Sequence, residues 1–221
     1  MKLKKELLRK SRLYLIADKR VAGNRPWFNL VKKTKGLGVN IIQLRDKESP
    51  KWSILKDAYI LRKLLAHSQT LFIINDYLDI AKLVDSDGVH LGQCDTPVEI
   101  ARKLLGKDKI IGVSCHNLSQ ALKAQNIGAD YISIGPIFPT QTKPEYKACG
   151  LDLIRKAGKM IRIPFFAIGG INESNLNKVL YSGAKRVAIC SAICKAKNIP
   201  LSTKTLSEAI LRSPPRIAAV P

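Results

Sequence analysis

The sequence predicts an eight-stranded parallel α/β barrel built as a single domain. Its 221 residues suit one large α/β unit. Eight apolar runs of four to six residues recur along the chain, too short to be helices. Segments of helical period separate them, and several of these close on a glycine. Strand alternating with helix implies a parallel sheet covered by helices, and eight repeats close it into a barrel. A doubly wound open sheet is the runner-up. No G-x-G-x-x-G follows the first strand, which counts against a dinucleotide-binding sheet.

The elements follow in order. LYLIA at 13–17 is the first strand, ending at Asp18. A loop with Gly23, Asn24 and Pro26 leads into a helix over 27–37, closed by Gly36 or Gly38. VNIIQL at 39–44 is the second strand, left by Arg45, Asp46 and Lys47. Ser49 and Pro50 start a helix reaching about 67, with Ser as cap and Pro in the first turn. LFII at 71–74 reads as a buried third strand, followed by Asn75 and Asp76. Leu78, Ile80, Ala81, Leu83 and Val84 make a short helical pattern. GVHL at 88–91 is the fourth strand, left by Gly92, Gln93, Cys94 and Asp95. A helix over 96–105 stops at Gly106. IIGV at 110–113 ends at Ser114, and a helix over 117–127 closes on Gly128. YISI at 131–134 precedes a long polar loop over 135–150. A helix over 151–160 leads to PFFAI at 164–168, then Gly169 and Gly170. A helix over 173–181 leads to RVAI at 186–189, and Ser191 opens a short helix. The last helix spans 203–211. The expected organisation is a basic extension over 1–12, a barrel over 13–212 and a frayed Pro-rich tail over 213–221.

Composition narrows the function classes. No run reaches the roughly 18 apolar residues of a membrane span. The apolar run after the basic N-terminus is too short for a signal-peptide core, so the chain reads as soluble and cytoplasmic. The cysteines are Cys94, Cys115, Cys149, Cys190 and Cys194. They form no C-x-x-C pair and read as free thiols. Cys190 and Cys194 stand one helical turn apart, but two soft ligands alone do not make a zinc site. The net charge is +21. Its lysines and arginines are scattered over 2–12, 32–35, 103–109, 155–162 and 195–197, which reads as a solvated surface. Aromatic residues are 6% of the chain and do not interleave with basic ones, so nucleic acid is not an expected partner.

Chemistry collects just after the strands, the face where parallel barrels carry their active sites. Asp76 and Asp95 follow two successive strands. Neighbouring strands lie about 5 Å apart, so two carboxylates there can share one hard cation. Few ligands and open positions suit Mg²⁺ on phosphate oxygens. Both aspartates also fit helix N-caps, Asp95 before Thr96 and Pro97 above all. Arg45, Lys47 and Lys143 are cationic donors, and arginine matches phosphate oxygens bidentately. Gly169 and Gly170 leave bare N–H groups before a helix, and Ser191 does the same after the last strand. Gln43, Asn75, Ser114, Thr140, Thr142 and Cys190 complete the set. It divides into a phosphate cradle at the seventh and eighth strands and a metal-plus-cation cluster at the second to fourth. Taken singly, the glycines also fit a tight turn, Arg45 and Lys47 surface charges, and Ser114 a cap. His90 and His116 read as packed or hydrogen-bonded residues, and His67 as a solvated cation ending a helix.

Q-L-R-D-K (43–47), I-N-D (74–76), D-G-V-H-L-G-Q-C-D (87–95) and I-G-V-S-C-H (111–116) stand in one order with G-P-I-F-P-T-Q-T-K (135–143), A-I-G-G-I (167–171) and C-S-A-I (190–193). In this the chain resembles the thiamine-phosphate synthase family, which are TIM barrels. The resemblance covers about 13–193. It implies an enzyme joining 4-amino-2-methyl-5-(diphosphooxymethyl)pyrimidine to 4-methyl-5-(2-phosphooxyethyl)thiazole, releasing pyrophosphate. The implied chemistry is dissociative: pyrophosphate leaves, and the thiazole nitrogen traps a pyrimidine-methylene cation. By the resemblance, Asp76 and Asp95 hold Mg²⁺. Gln43, Leu44, Arg45, Asp46, Lys47, Asn75, Ser114 and Lys143 contact the pyrimidine diphosphate. Lys143, Arg45, Lys47 and Ser114 act in catalysis. Thr140, Gln141, Thr142, Gly170, Cys190 and Ser191 contact the thiazole phosphate. Cys190 stands where an aliphatic residue is common and would use its backbone. The loop over 135–150 is expected to swing on Gly135 and Gly150 and close over both substrates. Two sister readings, a thiazole tautomerase and a non-catalytic regulator, share the barrel. Intact Asp76, Asp95 and Lys143 argue against both. The partners implied are small phosphorylated molecules, and an assembly of identical chains is compatible with them.

Overall fold

The eight apolar runs form eight strands, and the computed structural model describes residues 2–23 and 25–212. The strands are β1 (Leu13–Asp18), β2 (Val39–Arg45), β3 (Leu71–Asn75), β4 (Gly88–Leu91), β5 (Ile110–Cys115), β6 (Tyr131–Ile134), β7 (Phe165–Ile168) and β8 (Val187–Ile189). Each pairs in parallel with the next, and β1 pairs with β8 through Leu13–Val187, Tyr14–Ala188 and Leu15–Ile189, closing the barrel. The tail expected over 213–221 and Asn24 lie outside the described residues.

The helices are α1 (Lys2–Lys10), α2 (Lys19–Ala22), α3 (Trp27–Thr34), α4 (Lys51–Leu64), α5 (Leu78–Leu83), α6 (Val98–Leu105), α7 (Leu118–Asn126), α8 (Leu151–Met160), α9 (Leu176–Tyr181), α10 (Ser191–Cys194) and α11 (Ile199–Arg212). Several bounds differ from expectation for local reasons. α2 exists because Asp18 caps it, accepting the Val21 N–H at 3.0 Å. α3 stops at Thr34 because Lys35 turns extended. α9 begins late because Asn172 and Asn175 tie residues 172–175 into a side-chain turn, with Asn175 Oδ1 2.9 Å from the Asn172 N–H. α11 begins early because Asn198 accepts the Leu201 N–H at 3.0 Å. Ser49 does not cap α4; Pro50 holds that position, and the Ser49 hydroxyl accepts from Lys19.

The two-residue strand period sorts the side chains. Leu13, Leu15, Ile42, Leu44, Phe72, Ile74, Val89, Ile111, Ile132, Ala167 and Ile189 face out into one large core under the helices. Tyr14, Ile16, Ile41, Leu71, Ile73, Ile110, Tyr131, Phe166 and Ala188 face in and fill the barrel. The expected basic extension belongs to this interior. α1 buries Leu8 in the inner cluster, and its exposed face anchors it by Lys4–Asp87 and Lys5–Asp130 ion pairs, both at 2.9 Å. It lies against β2 and β3, and a short amphipathic helix covers barrel lining that would otherwise meet water.

Candidate active site

Apolar side chains and the rings of Tyr14 and Tyr131 fill the lower barrel, and a set of polar side chains gathers near the strands' C-terminal ends. Gln43 and Arg45 on β2, Asn75 on β3, His90 on β4 and Ser114 on β5 line one cavity. Thr140, Thr142 and Lys143 from the loop after β6 border it, as do Gly169, Gly170, Cys190 and Ser191. A second cavity adjoins it, sharing Thr140, Thr142, Gly170 and Ser191 and adding Gln141, Arg20 and Lys195. Arg20 and Lys195 were not expected from sequence; they come from elements flanking β1 and β8 whose charges look like surface lysines and arginines in one dimension. Five predicted residues line neither cavity: Lys47, Asp76 and Asp95 form a group of their own, and two stand elsewhere. The Leu44 side chain faces outward into the helical core, as a residue between inward Gln43 and Arg45 must. Asp46 folds back into its own loop, accepting the Glu48 and Ser49 N–H groups at 3.1 and 3.0 Å and pairing with Lys19 at 3.2 Å. Neither carries a side chain to the cavity.

Beneath the cavity runs a buried chain of hydrogen bonds. Gln43 Nε2 donates to Tyr14 Oη at 2.5 Å, Tyr14 Oη meets Tyr131 Oη at 2.9 Å, and Tyr131 Oη meets His90 Nδ1 at 2.9 Å. His90 Nε2 then meets Ser114 Oγ at 2.9 Å. Ser114 caps no helix; Asn117 caps α7. The sequence signal for this chain was faint: tyrosines at inward strand positions, and Gly112, where a Cβ would stand 2.1 Å from the Tyr131 ring. Burial pushes the His90 imidazole down to about 3 from the ordinary 6.5, so it stays neutral. The unfolded chain accepts a proton there that the folded chain refuses. Stability is therefore full above the ordinary value and is lost as pH falls below it. The loss from this group is about 1.4 kcal/mol per pH unit. Urea denaturation at pH 7 and pH 5 should show a shallower acid loss for His90→Asn than for the unaltered chain, and equal losses would refute this.

The metal candidates sit where β3 and β4 end. Asp76 adopts a left-handed backbone, φ 61°, costly for most side chains and tolerable for Asp. Its N–H donates to the His90 carbonyl at 2.9 Å, which fixes the turn. Asp95 accepts the Gly92 N–H at 2.6 Å. Neither aspartate caps a helix: Tyr77 and Pro97 hold the cap positions of α5 and α6, without side-chain cap bonds. The two carboxyls stand close enough for each to shift the other's ionisation. Burial and the neighbouring Asp95 raise the Asp76 carboxyl above the usual range. The Lys47 ammonium lies 3.0 Å from Asp76 Oδ2, a cation already seated on the pair. Two adjacent hard oxygen donors with excess negative charge fit Mg²⁺, which takes few protein carboxylates and completes its shell from phosphate and water. Among the described residues no group of three or more metal-binding side chains exists. Beside them Asn75 Nδ2 is buried without a hydrogen-bond partner among the described residues. An unmet donor costs about 1–3 kcal/mol, and a bound acceptor would recover it.

The loop after β6 is tied at its neck. Ile137 and Phe138 N–H groups donate to Ile168 and Gly169 carbonyls at 2.8 and 3.1 Å, and Cys149 N–H to the Pro136 carbonyl at 2.7 Å. Gly135 is thus pinned rather than a hinge, and only the segment beyond Phe138 is free of sheet bonds. Gly169 and Gly170 have φ of 99° and 64°, and a Cβ at 170 would stand 2.6 Å from the Pro139 carbonyl oxygen. Both must be glycine for the loop to rest on them. Arg20 clamps the loop by donating to the Thr142 carbonyl at 2.9 Å. Tyr146 stacks on His116 with centroids 4.0 Å apart, and Lys143 Nζ lies 5.5 Å from the Tyr146 ring centre. Burial, then Arg45 and Lys47, lower the Lys143 pKa. Arg45 itself is held by Asp18.

The family model described as "Thiamine monophosphate synthase" matches residues 13–193. The chain is 44% identical over 200 residues to a thiamine-phosphate synthase of Lawsonia intracellularis, spanning 90% of this chain and 92% of that one. It is 42% identical over 200 residues to one of Shouchella clausii, spanning 90% and 96%. Among solved structures it resembles a thiamine phosphate pyrophosphorylase from Pyrococcus furiosus, with TM-score 0.84 and 35% identity over 93% of this chain and 99% of that one.

Proposed function

Because the chain belongs to the thiamine monophosphate synthase family, we propose that the two adjoining cavities hold the pyrimidine diphosphate and the thiazole phosphate side by side for a dissociative substitution. Membership makes the chain a transferase that forms thiamine phosphate. The observation that supports the rest is the joining of two cation-lined compartments under one loop.

In this reading Gln43, on the buried hydrogen-bonded chain, orients the pyrimidine ring. Asn75 satisfies its free donor on the substrate. Arg45, Lys47 and Lys143 gather the diphosphate oxygens. Asp76 and Asp95 would hold Mg²⁺, which supplies charge neutralisation on those oxygens. The methylene–oxygen bond breaks with its electron pair going to pyrophosphate, and the thiazole nitrogen lone pair forms the new carbon–nitrogen bond. Nothing in this step needs a protein nucleophile. It needs the leaving charge held and the trap close. Thr140, Gln141, Thr142, Ser191 and the N–H groups at Gly170 and Cys190 hold the thiazole phosphate. The loop excludes water that would otherwise capture the cation. Incubation with both substrates and Mg²⁺ should release pyrophosphate and thiamine phosphate in equal amounts, and absence of either product would reject the reading.

Thr142→Ala should mainly raise the KM for the thiazole phosphate, by about tenfold, the worth of one hydrogen bond to a charged group. The residue borders both cavities, while its backbone carbonyl is the part Arg20 grips. A fall in kcat at unchanged KM would move Thr142 to the other compartment.

The same reading makes the +21 charge a surface property and gives the chain no nucleic-acid partner. Binding to random duplex DNA should be weak and vanish at moderate salt. Tight, salt-resistant binding would overturn it. A cytoplasmic location fits the five free cysteines. No helix among the described residues is long and apolar enough to cross a membrane.

A further inference from the structure

The thiols of Cys190 and Cys194 take no part in the reading above, which uses only the backbone at 190. Cys190 leaves β8 and holds the cap position of α10. The Cys194 N–H donates to the Cys190 carbonyl at 2.9 Å, so the two stand one helical turn apart. Cys194 Sγ lies 3.3 Å from the Ile16 carbonyl oxygen. Both are free cysteines. Cys190 lines the reaction cavity beside Ser191, so a molecule entering that cavity meets Cys190 first, with Cys194 buried one turn further on.

Geometry selects the chemistry. Side chains four residues apart on a helix hold their Cβ atoms about 5–6 Å apart. A disulfide needs roughly 3.5–4.5 Å, so direct oxidation would have to break the turn. A bridge through one soft atom is longer, because sulfur bonds to such atoms run about 2.3 Å each. Two sulfurs are too few for tetrahedral zinc but enough for a thiophilic centre that is satisfied by two. The second bond then forms within the same molecule, at a high effective concentration. The influence of each thiol on the other also raises the Cys190 thiol and lowers that of Cys194, which eases loss of the first proton.

We propose that Cys190 and Cys194 form a dithiol site for trivalent thiophiles of the organoarsenical class, and that its occupation blocks the thiazole-phosphate compartment. With an arsenoxide, two arsenic–sulfur bonds form and the arsenic–oxygen bond breaks. The oxygen leaves as water with the two thiol protons, and no oxidation state changes. The blocking half rests on the proposed function; the binding half does not.

Phenylarsine oxide tests both. Intact mass should show one phenylarsenic group per chain with loss of one water, and a thiol titration should fall by two of the five cysteines. Turnover should be lost and restored by 2,3-dimercaptopropanol but not by a monothiol. Cys194→Ser keeps a donor for the Ile16 carbonyl and lies outside the binding machinery. It should keep turnover and tolerate at least about tenfold more reagent, because the chelate is gone. An unchanged adduct in Cys194→Ser, or no adduct in the unaltered chain, overturns the site. An adduct that leaves turnover intact overturns the blocking half and points to a fault in the compartment assignment instead.

Discussion

Lys143→Ala should lose about 10²–10³ in kcat, the scale of removing one preorganised charge contact from a site that stabilises developing charge. The loss should fall on turnover more than on KM. In the ground state the diphosphate charge is spread and partly met by Arg45 and Lys47. It becomes concentrated on pyrophosphate only as the carbon–oxygen bond breaks, and an interaction that strengthens there raises kcat. The structure adds a pH signature. Burial, then Arg45 and Lys47, lower the Lys143 pKa in the empty site. The needed form is the charged one, so activity is present below that pKa and lost as pH rises through it. The alkaline limb of kcat/KM should therefore fall below the ordinary lysine range, and that of kcat should lie higher, because bound diphosphate favours the cation. Tyr146, beneath the ammonium and stacked on His116, keeps the charge facing the cavity. The competing account is one more solvated lysine in a lysine-rich chain. Lys143→Ala with unaltered kcat and KM for both substrates would make that account right and the loop proposal wrong.

What could be read in advance divides along a physical line. The barrel was legible because its signal is local: short apolar runs and helical periods repeat along the chain, and all eight strands formed where those runs lie. The positions leaving the strands were legible for the same reason, since a parallel barrel puts every such position on one face. Features that depend on contacts across the barrel were not. Tyr14 and Tyr131 are 117 positions apart in the chain and meet only because β1 and β6 face the same interior. Leu44 was swept into the site by a motif that ignores the two-residue period, which turns it outward. Asp46 likewise spends its charge on its own loop and Lys19. Helix ends failed where asparagine side chains or a proline set the boundary, at α9, α11 and α4. The role of α1 was hidden because nine residues rich in lysine read as solvent-facing until Leu8 is placed in the barrel.

Asp76→Asn and Asp95→Asn should each lower turnover by at least about 100-fold, since even partners one step removed from a metal ligand cost 10–100-fold. Asparagine is the informative replacement. It keeps the size, tolerates the left-handed backbone at 76, and can still accept the Gly92 N–H at 95. Only the negative charge is removed. The two roles open in the sequence then predict opposite outcomes. A structural carboxylate would lose stability with its charge. Here neither aspartate caps a helix, and the Asp76 carboxyl is raised by burial and by Asp95. A raised folded-state pKa means that ionisation of Asp76 opposes folding at neutral pH, so Asp76→Asn should leave the Tm unchanged or higher. The Asp95 carboxyl, despite its burial, is held low by Asp76 and the Gly92 N–H, so Asp95→Asn should lower the Tm slightly, far less than its loss of turnover. Calorimetric titration of Mg²⁺ into the protein with pyrophosphate gives a readout separate from turnover: the unaltered chain should take up metal only with the diphosphate, and each variant should bind it weakly. Variants that keep turnover, or that lose Tm in step with activity, would remove both aspartates from the metal site.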